Sequence, residues 1–597
     1  MQRSVLVCCG TGCLANGSKA IADEFEKLIK EQNVNAKVEC FVKRTGCNGF
    51  CENGPLVKIM PDDIIYYKVK LSDVQEIIDS SLINGTPVER LLYKDDSGMP
   101  VTKQEENPFY AQQQKVALRN IGFIDPLNVD DYISTGGYEG LKKALTMTQD
   151  EIIEEVKKSG LRGRGGAGFP TWRKWQTARE QDCEIKYVGC NGDEGDPGAF
   201  MDRSVLEGDP HSVLEGLAIA ALAIGAEEGF LYIRDEYGLA VNNINAAIKD
   251  AETHGILGEH VMGTDRKIKF SVVRGGGAFV CGEETALIAS VEGRVGEPKP
   301  RPPFPAVKGA FGAPTTINNV ETLANIPLIL RNGGDKFAEL GTEGSKGTKV
   351  FALVGKVKRT GLVEIPMGVT LRQLIYDIGG GIKDDRPFKA VQTGGPSGGC
   401  IPAELLDLQV DFDTLKAKGA MMGSGGMIVM DDRSCMVEVA RYYVNFLAEE
   451  SCGKCTPCRE GLRKMLEILT DICEGRGQEG DIELLESIGR TMQDGCLCAL
   501  GNTAPNPVLT TIQFFRDEYE AHIKEHRCPA GVCTKLTSFK INPDVCKGCT
   551  ACSRACPVGA ISGSVKNPHV IDQTKCIACG SCREACRFDA IITEGRA

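Results

Sequence analysis

The chain has no excess of basic charge. Lys and Arg number 69 against 81 Asp and Glu, for a formal charge of −12, whereas binding nucleic acid through its phosphates needs a basic face. Long apolar runs are also missing: none approaches the ~18 residues that a membrane helix needs. The start, Met1-Gln-Arg-Ser-Val-Leu-Val-Cys8, holds one Arg and a short apolar patch, so it reads as a first β-strand and not as an export signal. A cytoplasmic protein is expected. At ~150 residues per domain, 597 residues make about four domains. Against these absences stand 27 cysteines. A secreted disulfide protein would use that many, but no export signal supports one, and the cysteines cluster at metal-ligand spacings.

Residues 1–90 read as a small α/β domain. Ser4–Cys8, Val38–Val42 and Leu56–Ile59 are strands; Ser18–Gln32, with Ile21, Phe25 and Ile29 on one face, and Val74–Ile83 are helices. Four cysteines fall in two loops that follow strands, Cys8-x4-Cys13 and Cys47-x3-Cys51. Thiolates from two such loops can converge on a binuclear iron–sulfur centre, which needs four. Cys9 could replace Cys8, and Cys40 has no assignment. A thioredoxin-type redox pair is excluded, because the segment has no C-x-x-C. On these residues it resembles the thioredoxin-like 2Fe–2S ferredoxins. Residues 91–118, with Asp95-Asp-Ser-Gly-Met-Pro100 and Gln112-Gln-Gln114, read as a polar linker.

Gly163, Gly165 and Gly168 then carry the spacing G-x-G-x-x-G. A Rossmann fingerprint needs a strand before those glycines. The residues before them place Ile152, Ile153 and Val156 at helical spacing, with acids first and lysines last. A helix there is the wrong context. The bare backbone, with Arg162, Arg164, Arg173 and Lys174, still suits a phosphate. Three further loops follow within 119–340: Cys190-Asn-Gly-Asp-Glu-Gly-Asp-Pro-Gly-Ala-Phe200, Gly275-Gly-Gly-Ala-Phe-Val-Cys-Gly-Glu-Glu-Thr285, and Arg301-Pro-Pro-Phe-Pro305 leading to Asn318-Asn319. The first two follow strand patterns at Ile185–Val188 and Ile268–Val273.

In order and nearly letter for letter, these loops resemble the flavin- and NADH-binding subunit of respiratory complex I and its soluble relatives, over residues 120–525. The resemblance implies an FMN site built from Gly163, Arg164, Gly165, Lys174, Asn191, Asp193, Glu194, Gly282, Glu283, Asn318 and Asn319. It implies contacts to NAD(H) from Phe169, Asp196, Phe279, Glu284, Arg301 and Phe304, with Phe169 and Phe304 stacking the adenine. Arg301 stands where many relatives have Lys and Phe279 where many have Tyr. Asp196 would repel a 2′-phosphate if it faces that sugar, which favours NAD. Hydride transfer needs placement and stacking more than an acid or base, so no catalytic side chain is assigned, with Glu283 and Glu284 nearby.

Residues 345–430 alternate short strands with glycine turns and resemble the ubiquitin-like β-grasp (SLBB-like) insert of the same subunit. From 436 to 535 the pattern is helical. Cys452, Cys455 and Cys458 stand where a helix begins, and N-terminal amides favour an anionic thiolate cluster. Cys496 and Cys498 both offer a fourth thiolate; the family pattern Cys-x-Leu-Gly selects Cys498. Cys473, His522, Cys528 and Cys533 remain, the last two in a knuckle-like loop, and three Cys with one His make a closed zinc set. His526 or Cys496 could substitute. Within 538–597, the runs Cys546-x2-Cys549-x2-Cys552-x3-Cys556 and Cys576-x2-Cys579-x2-Cys582-x3-Cys586 form a double 4Fe–4S ferredoxin repeat. In this module the fourth Cys of each run ligates the other cluster. The sets are then Cys546, Cys549, Cys552 and Cys586, and Cys576, Cys579, Cys582 and Cys556.

The expected fold is a multidomain α/β protein: a thioredoxin-like 2Fe–2S domain, a non-standard Rossmann-like FMN core, a β-grasp insert, a helical 4Fe–4S bundle and a double 4Fe–4S ferredoxin. This combination resembles the NAD(P)-linked flavoprotein subunits of soluble, electron-bifurcating FeFe-hydrogenases. The resemblance implies hydride exchange between NAD(H) and FMN, followed by one-electron transfer through one 2Fe–2S and three 4Fe–4S clusters. The implied partners are an FeFe-hydrogenase catalytic subunit, a small 2Fe–2S subunit and ferredoxin, in a hetero-oligomer. The diaphorase subunit of an NAD-dependent formate dehydrogenase is an alternative, and a flavin-free electron-transfer scaffold is another of a different class.

Overall fold

The computed structural model describes residues 2–595. Two compact units divide the chain. The first holds residues up to 385 with 393–395 and 404–429; the second holds 386–392, 396–403 and everything from 430.

The first unit opens with β1 (Arg3–Cys8), α1 (Ser18–Glu31), β2 (Cys40–Thr45), β3 (Val57–Met60) and β4 (Ile64–Tyr66). The strands form a sheet in the order β2-β1-β3-β4, with β1 parallel to β2 and antiparallel to β3. Ile21, Ala22, Phe25 and Ile29 lie on one stripe of α1 and pack with Val5, Val7, Val57 and Ile59. Alternation along β1 sends Val5 and Val7 to that core. The second strand starts at Cys40, not at Val38, and ends just before the Cys47 loop.

The segment 91–118 is not a polar linker. Phe109 is fully buried and stacks on Phe50 at 4.3 Å between ring centroids. Ala117 N and Leu118 N donate to the buried Glu364 carboxylate at 2.8 and 2.9 Å. Its polar letters make turns, while its few apolar ones are anchored in cores.

A parallel sheet follows, built from β5 (Tyr187–Gly192), β6 (Glu228–Arg234), β7 (Lys269–Gly275) and β8 (Thr315–Asn319), in the order β8-β5-β6-β7. The helices that frame it include α2 (Gln149–Lys158), α3 (Thr171–Arg179), α4 (Met201–Gly208), α5 (Pro210–Ile224), α6 (Glu284–Val291) and α7 (Val320–Asn332).

Thr148 and Glu151 form a capping box at the start of α2, with lysines in its last turn. Helix α5 is mostly apolar and almost wholly buried, as a central core helix is. Asp209 caps it, Pro210 opens it, and Gly225 at φ 78° ends it. Beyond the sheet come β9 (Thr348–Gly355), β10 (Gly361–Pro366) and β11 (Gly426–Asp431). Strand β9 pairs antiparallel with β10 and parallel with β11.

The second unit is helical and then rich in short turns. It has α8 (Met436–Glu450), α9 (Thr456–Cys473), α10 (Asp481–Gly495), α11 (Ala499–Thr503) and α12 (Asn506–Lys524). In the tail, Thr537–Ile541 pairs with Ile591–Gly595, and Ile561–Ser562 with Val570–Ile571, both antiparallel. Among the described residues no helix is long and apolar enough to cross a membrane.

Gly216 sets a close helix approach in the core of the first unit. A Cβ there would stand 2.1 Å from the Leu323 carbonyl oxygen of α7. Gly216→Ala is expected to destabilise this unit by about 1–3 kcal/mol through overpacking, read as a lower thermal midpoint.

Candidate functional site

The order β8-β5-β6-β7 reverses direction once. The chain moves from β5 through β6 to β7 on one side, and β8 is added on the other side of β5. In open parallel sheets, ligands bind outside the carboxyl ends of the strands at such a switch point. Asn191 of β5 and Asn319 of β8 are register partners there. Three of the stretches singled out in the sequence leave the same ends: 193–200 after β5, 276–283 after β7, and the start of α7 after β8. The Gly163–Gly168 loop joins them, since a Cβ on Gly165 would touch Asn319 at 3.1 Å.

The backbone here fits a ligand. A Cβ on Gly276 would meet nothing within 4 Å, and on Gly163 or Gly282 nothing nearer than 3.5 Å. Packing within the chain does not require glycine at these points, so the bare backbone leaves room beside the loops. Phe169 and Phe304 are 48% and 55% exposed, as free stacking faces would be. The Arg301 guanidinium lies 5.8 Å from the Phe304 ring centre and 4.0 Å from Glu283. Phe279 belongs to the 276–283 loop.

Several expected ligand contacts have partners inside the chain. Arg164 is not a phosphate ligand. It is fully buried, and its guanidinium donates to the carbonyls of Arg162, Lys346 and Thr348 at 2.8, 2.6 and 3.0 Å. Burial pushes it down to about 10. Glu194 is 5% exposed and accepts from Asp202 N and Arg203 N at 3.1 Å, so its carboxylate caps α4. Glu283 caps α6 and Asn319 caps α7. Lys174 pairs with Glu284 and donates to the Ile317 carbonyl at 2.8 Å. Asn191 bridges Gly282 O and Asp193 N, and Asn318 accepts from Trp175 at 2.9 Å. Asp193 faces Arg234 at 3.7 Å. These residues shape the crevice by joining its loops.

The thiols gather in separate sets. Cys47 and Cys51 are 3.4 Å apart, and Cys8 lies against Cys13 and Cys47. Cys9 stands with Ser18 and Arg44, and Cys40 is core, bonded to Asn35 at 3.0 Å. Cys455, Cys498 and Cys452 surround Cys458, whose thiol burial pushes up to about 11. Cys496 also lies beside Cys455 and Cys458. In the tail, one cavity is lined by Cys546, Cys549, Cys552 and Cys586, and a second by Cys556, Cys576, Cys579 and Cys582. The fourth cysteine of each run thus lines the other run's cavity. Four thiolates around one space suit an iron–sulfur cluster.

Known proteins share this arrangement. Residues 156–328 match the Nuo51 FMN-binding domain, and 438–522 the iron–sulfur binding region of NADH-ubiquinone oxidoreductase-F. Residues 2–81 match the thioredoxin-like [2Fe-2S] ferredoxin, 350–401 the SLBB domain and 538–587 the 4Fe-4S dicluster domain. The NADP-reducing hydrogenase subunit HndC of Solidesulfovibrio fructosivorans is 54% identical over 483 residues, 81% of this chain and 98% of that protein. The F subunit of the Escherichia coli NADH-quinone oxidoreductase is 43% identical over 67% of this chain and 91% of its own length. A crystal structure of an NAD+-reducing [NiFe]-hydrogenase aligns with a TM-score of 0.61 at 29% identity, covering 88% of this chain and 85% of that one. The chain belongs to the family of FMN- and NADH-binding subunits of complex I and related hydrogenases. It is a flavin- and iron–sulfur-dependent NAD(P)H oxidoreductase subunit.

Away from the flavoprotein core of this family member, the expected set Cys473, His522, Cys528 and Cys533 closes differently. Cys435, His522, Cys528 and Cys533 bring their ligand atoms within 4.8 Å of one another, all buried. Cys435 Sγ lies 3.4 Å from His522 Nε2 and 3.8 Å from Cys533 Sγ. Those spacings suit the edges of a tetrahedron with bonds of ~2.3 Å. The Glu518 carbonyl at 2.6 Å from Nδ1 fixes the imidazole. Cys473 instead groups with Glu438 and Cys533. Cys435 lies 87 residues before His522 and belongs to no motif of its own, so no local spacing in the sequence could have revealed it.

The resemblance sets Asp196 at the dinucleotide sugar. Its carboxylate accepts from Ser424 Oγ at 2.5 Å. Burial pushes Asp196 up to about 6, against the opposing Ser424 hydrogen bond. A raised carboxyl keeps its proton in the fold while the unfolded chain releases it, so stability falls as pH rises through that window. Asp196→Asn is expected to flatten the pH dependence of the thermal midpoint between about pH 4 and 6.

Proposed function

We propose that the chain is the nicotinamide-dinucleotide-linked subunit of an electron-bifurcating hydrogenase complex. The convergence of four loops on one switch-point crevice, in a chain that also carries several thiolate sets, supports this reading most directly. Likeness to a hydrogenase subunit along 98% of that subunit supports the hydrogenase branch. FMN bound in the crevice would supply hydride exchange with the dinucleotide and release of single electrons. Gly163, Gly276 and Gly282 keep the backbone bare beside it, and Phe169 and Phe304 offer flat faces to the dinucleotide.

In this reading Cys8, Cys13, Cys47 and Cys51 hold a 2Fe–2S cluster. Cys452, Cys455, Cys458 and Cys498, and the two tail sets, hold 4Fe–4S clusters. The tail clusters serve a path towards ferredoxin, and an FeFe-hydrogenase subunit and a small 2Fe–2S subunit complete the assembly. Cys549→Ala or Cys579→Ala is expected to abolish NADH–ferredoxin coupling in the complex while NADH–dye activity survives. Unchanged coupling would sink the path.

Cys435, His522, Cys528 and Cys533 suit structural zinc, three thiolates and one imidazole in a closed site. Metal analysis is expected to show one zinc lost in Cys435→Ser and retained in Cys473→Ser; the reverse would restore Cys473 as the ligand.

A further inference from the structure

Helix α4 is only eight residues long, yet each end meets a different loop. At its start, Asp202 N and Arg203 N hold the carboxylate of Glu194, from the loop after β5. At its end, the Glu207 carboxylate accepts from Thr11 N at 3.0 Å and from Thr11 Oγ1. Thr11 lies between Cys8 and Cys13, where the short helix Thr11–Ala15 begins. Next to it, Gly46 and Gly208 bring two backbones together: a Cβ on Gly46 would stand 2.3 Å from Gly208 Cα. At 1.5 Å per residue, the four to five residues of α4 between these contacts set them about 6–7.5 Å apart along its axis.

Glu207 is 3% exposed, and its carboxylate reaches out of its own domain to take the N–H of the cysteine loop. Cys8 and Cys51 both stand near enough to feel its charge. Arg203 Nε stands 3.8 Å away and acts on Cys51 in the opposite sense, so the two charges sit as a pair beside the centre. We propose that Glu207 is a positioning residue for the Cys8/Cys13/Cys47/Cys51 centre, holding the cysteine loop against α4 and placing a fixed negative charge beside it. The inference rests on the reading of those four cysteines as a 2Fe–2S site. Reduction adds negative charge to a cluster, and a nearby carboxylate in a low-dielectric setting disfavours that. Glu207 therefore holds the reduction potential of this centre down, and the helix ties that centre to the flavin loop.

The test is an EPR-monitored redox titration of the purified, cluster-loaded full chain at about pH 8, chosen high because burial raises Glu207 above the ordinary carboxylate range. Glu207→Gln keeps the shape and an acceptor oxygen but removes the charge, so the midpoint potential of the 2Fe–2S signal is expected to rise. Glu207→Asp keeps the charge, and its midpoint is expected to return towards that of the unaltered chain. An unshifted midpoint in Glu207→Gln overturns the proposal, as does an equal shift in both variants, which would mean packing alone. Absence of any 2Fe–2S signal from the unaltered chain would instead overturn the reading of the four cysteines. If Glu207→Gln loses its cluster, iron content of Glu207→Asp decides: full loading supports the charge, and equal loss overturns it.

Discussion

The single reversal in strand order between β5 and β8 is the constraint from which the rest of the first unit follows. Two parallel strands whose chains leave in opposite directions cannot have their following loops packed over each other, so a crevice opens at their carboxyl ends. The Asn191–Asn319 register pair marks its floor. Everything added above it must reach over that opening, and the glycine loop, the 276–283 loop and the start of α7 do so.

Holding such loops together calls for polar contacts, because loops cannot be fixed by an apolar face alone. Buried and half-buried carboxylates supply them. Glu194 caps α4, Glu283 caps α6, and Glu321 pairs with the fully buried Lys349. Burial raises Glu194 and Asp202, a sign of the desolvation that these contacts offset. Removing one partner of such a pair would leave a buried charge, so the network couples the crevice to the core beneath it.

The second unit solves a different problem with thiols. Short turns and short strands cannot bury much apolar surface, and the tail instead gathers its cysteines in sets of four. Its two tail cavities are each completed by the other run's fourth cysteine, so both runs line each cavity.

Much of this is legible in the sequence because it is local. Cysteine runs, the capping box at Thr148 and the apolar stripe of α1 depend on residues a few positions apart, and fixed spacing is enough to read them. The crevice loops can likewise be picked out as a set from their glycines and acids. Their individual roles depend on contacts across long separations. Arg164 reads as a phosphate ligand by its neighbours, and only the fold shows three carbonyls around its guanidinium. Cys435 has no motif, and 91–118 reads as polar because composition averages over the few residues that are buried. Reading the letters in order thus tells which chemical groups the chain carries and at what local spacing. Which of those groups meet is a matter of packing, because a buried charge or thiol takes its partner from whatever the fold brings near.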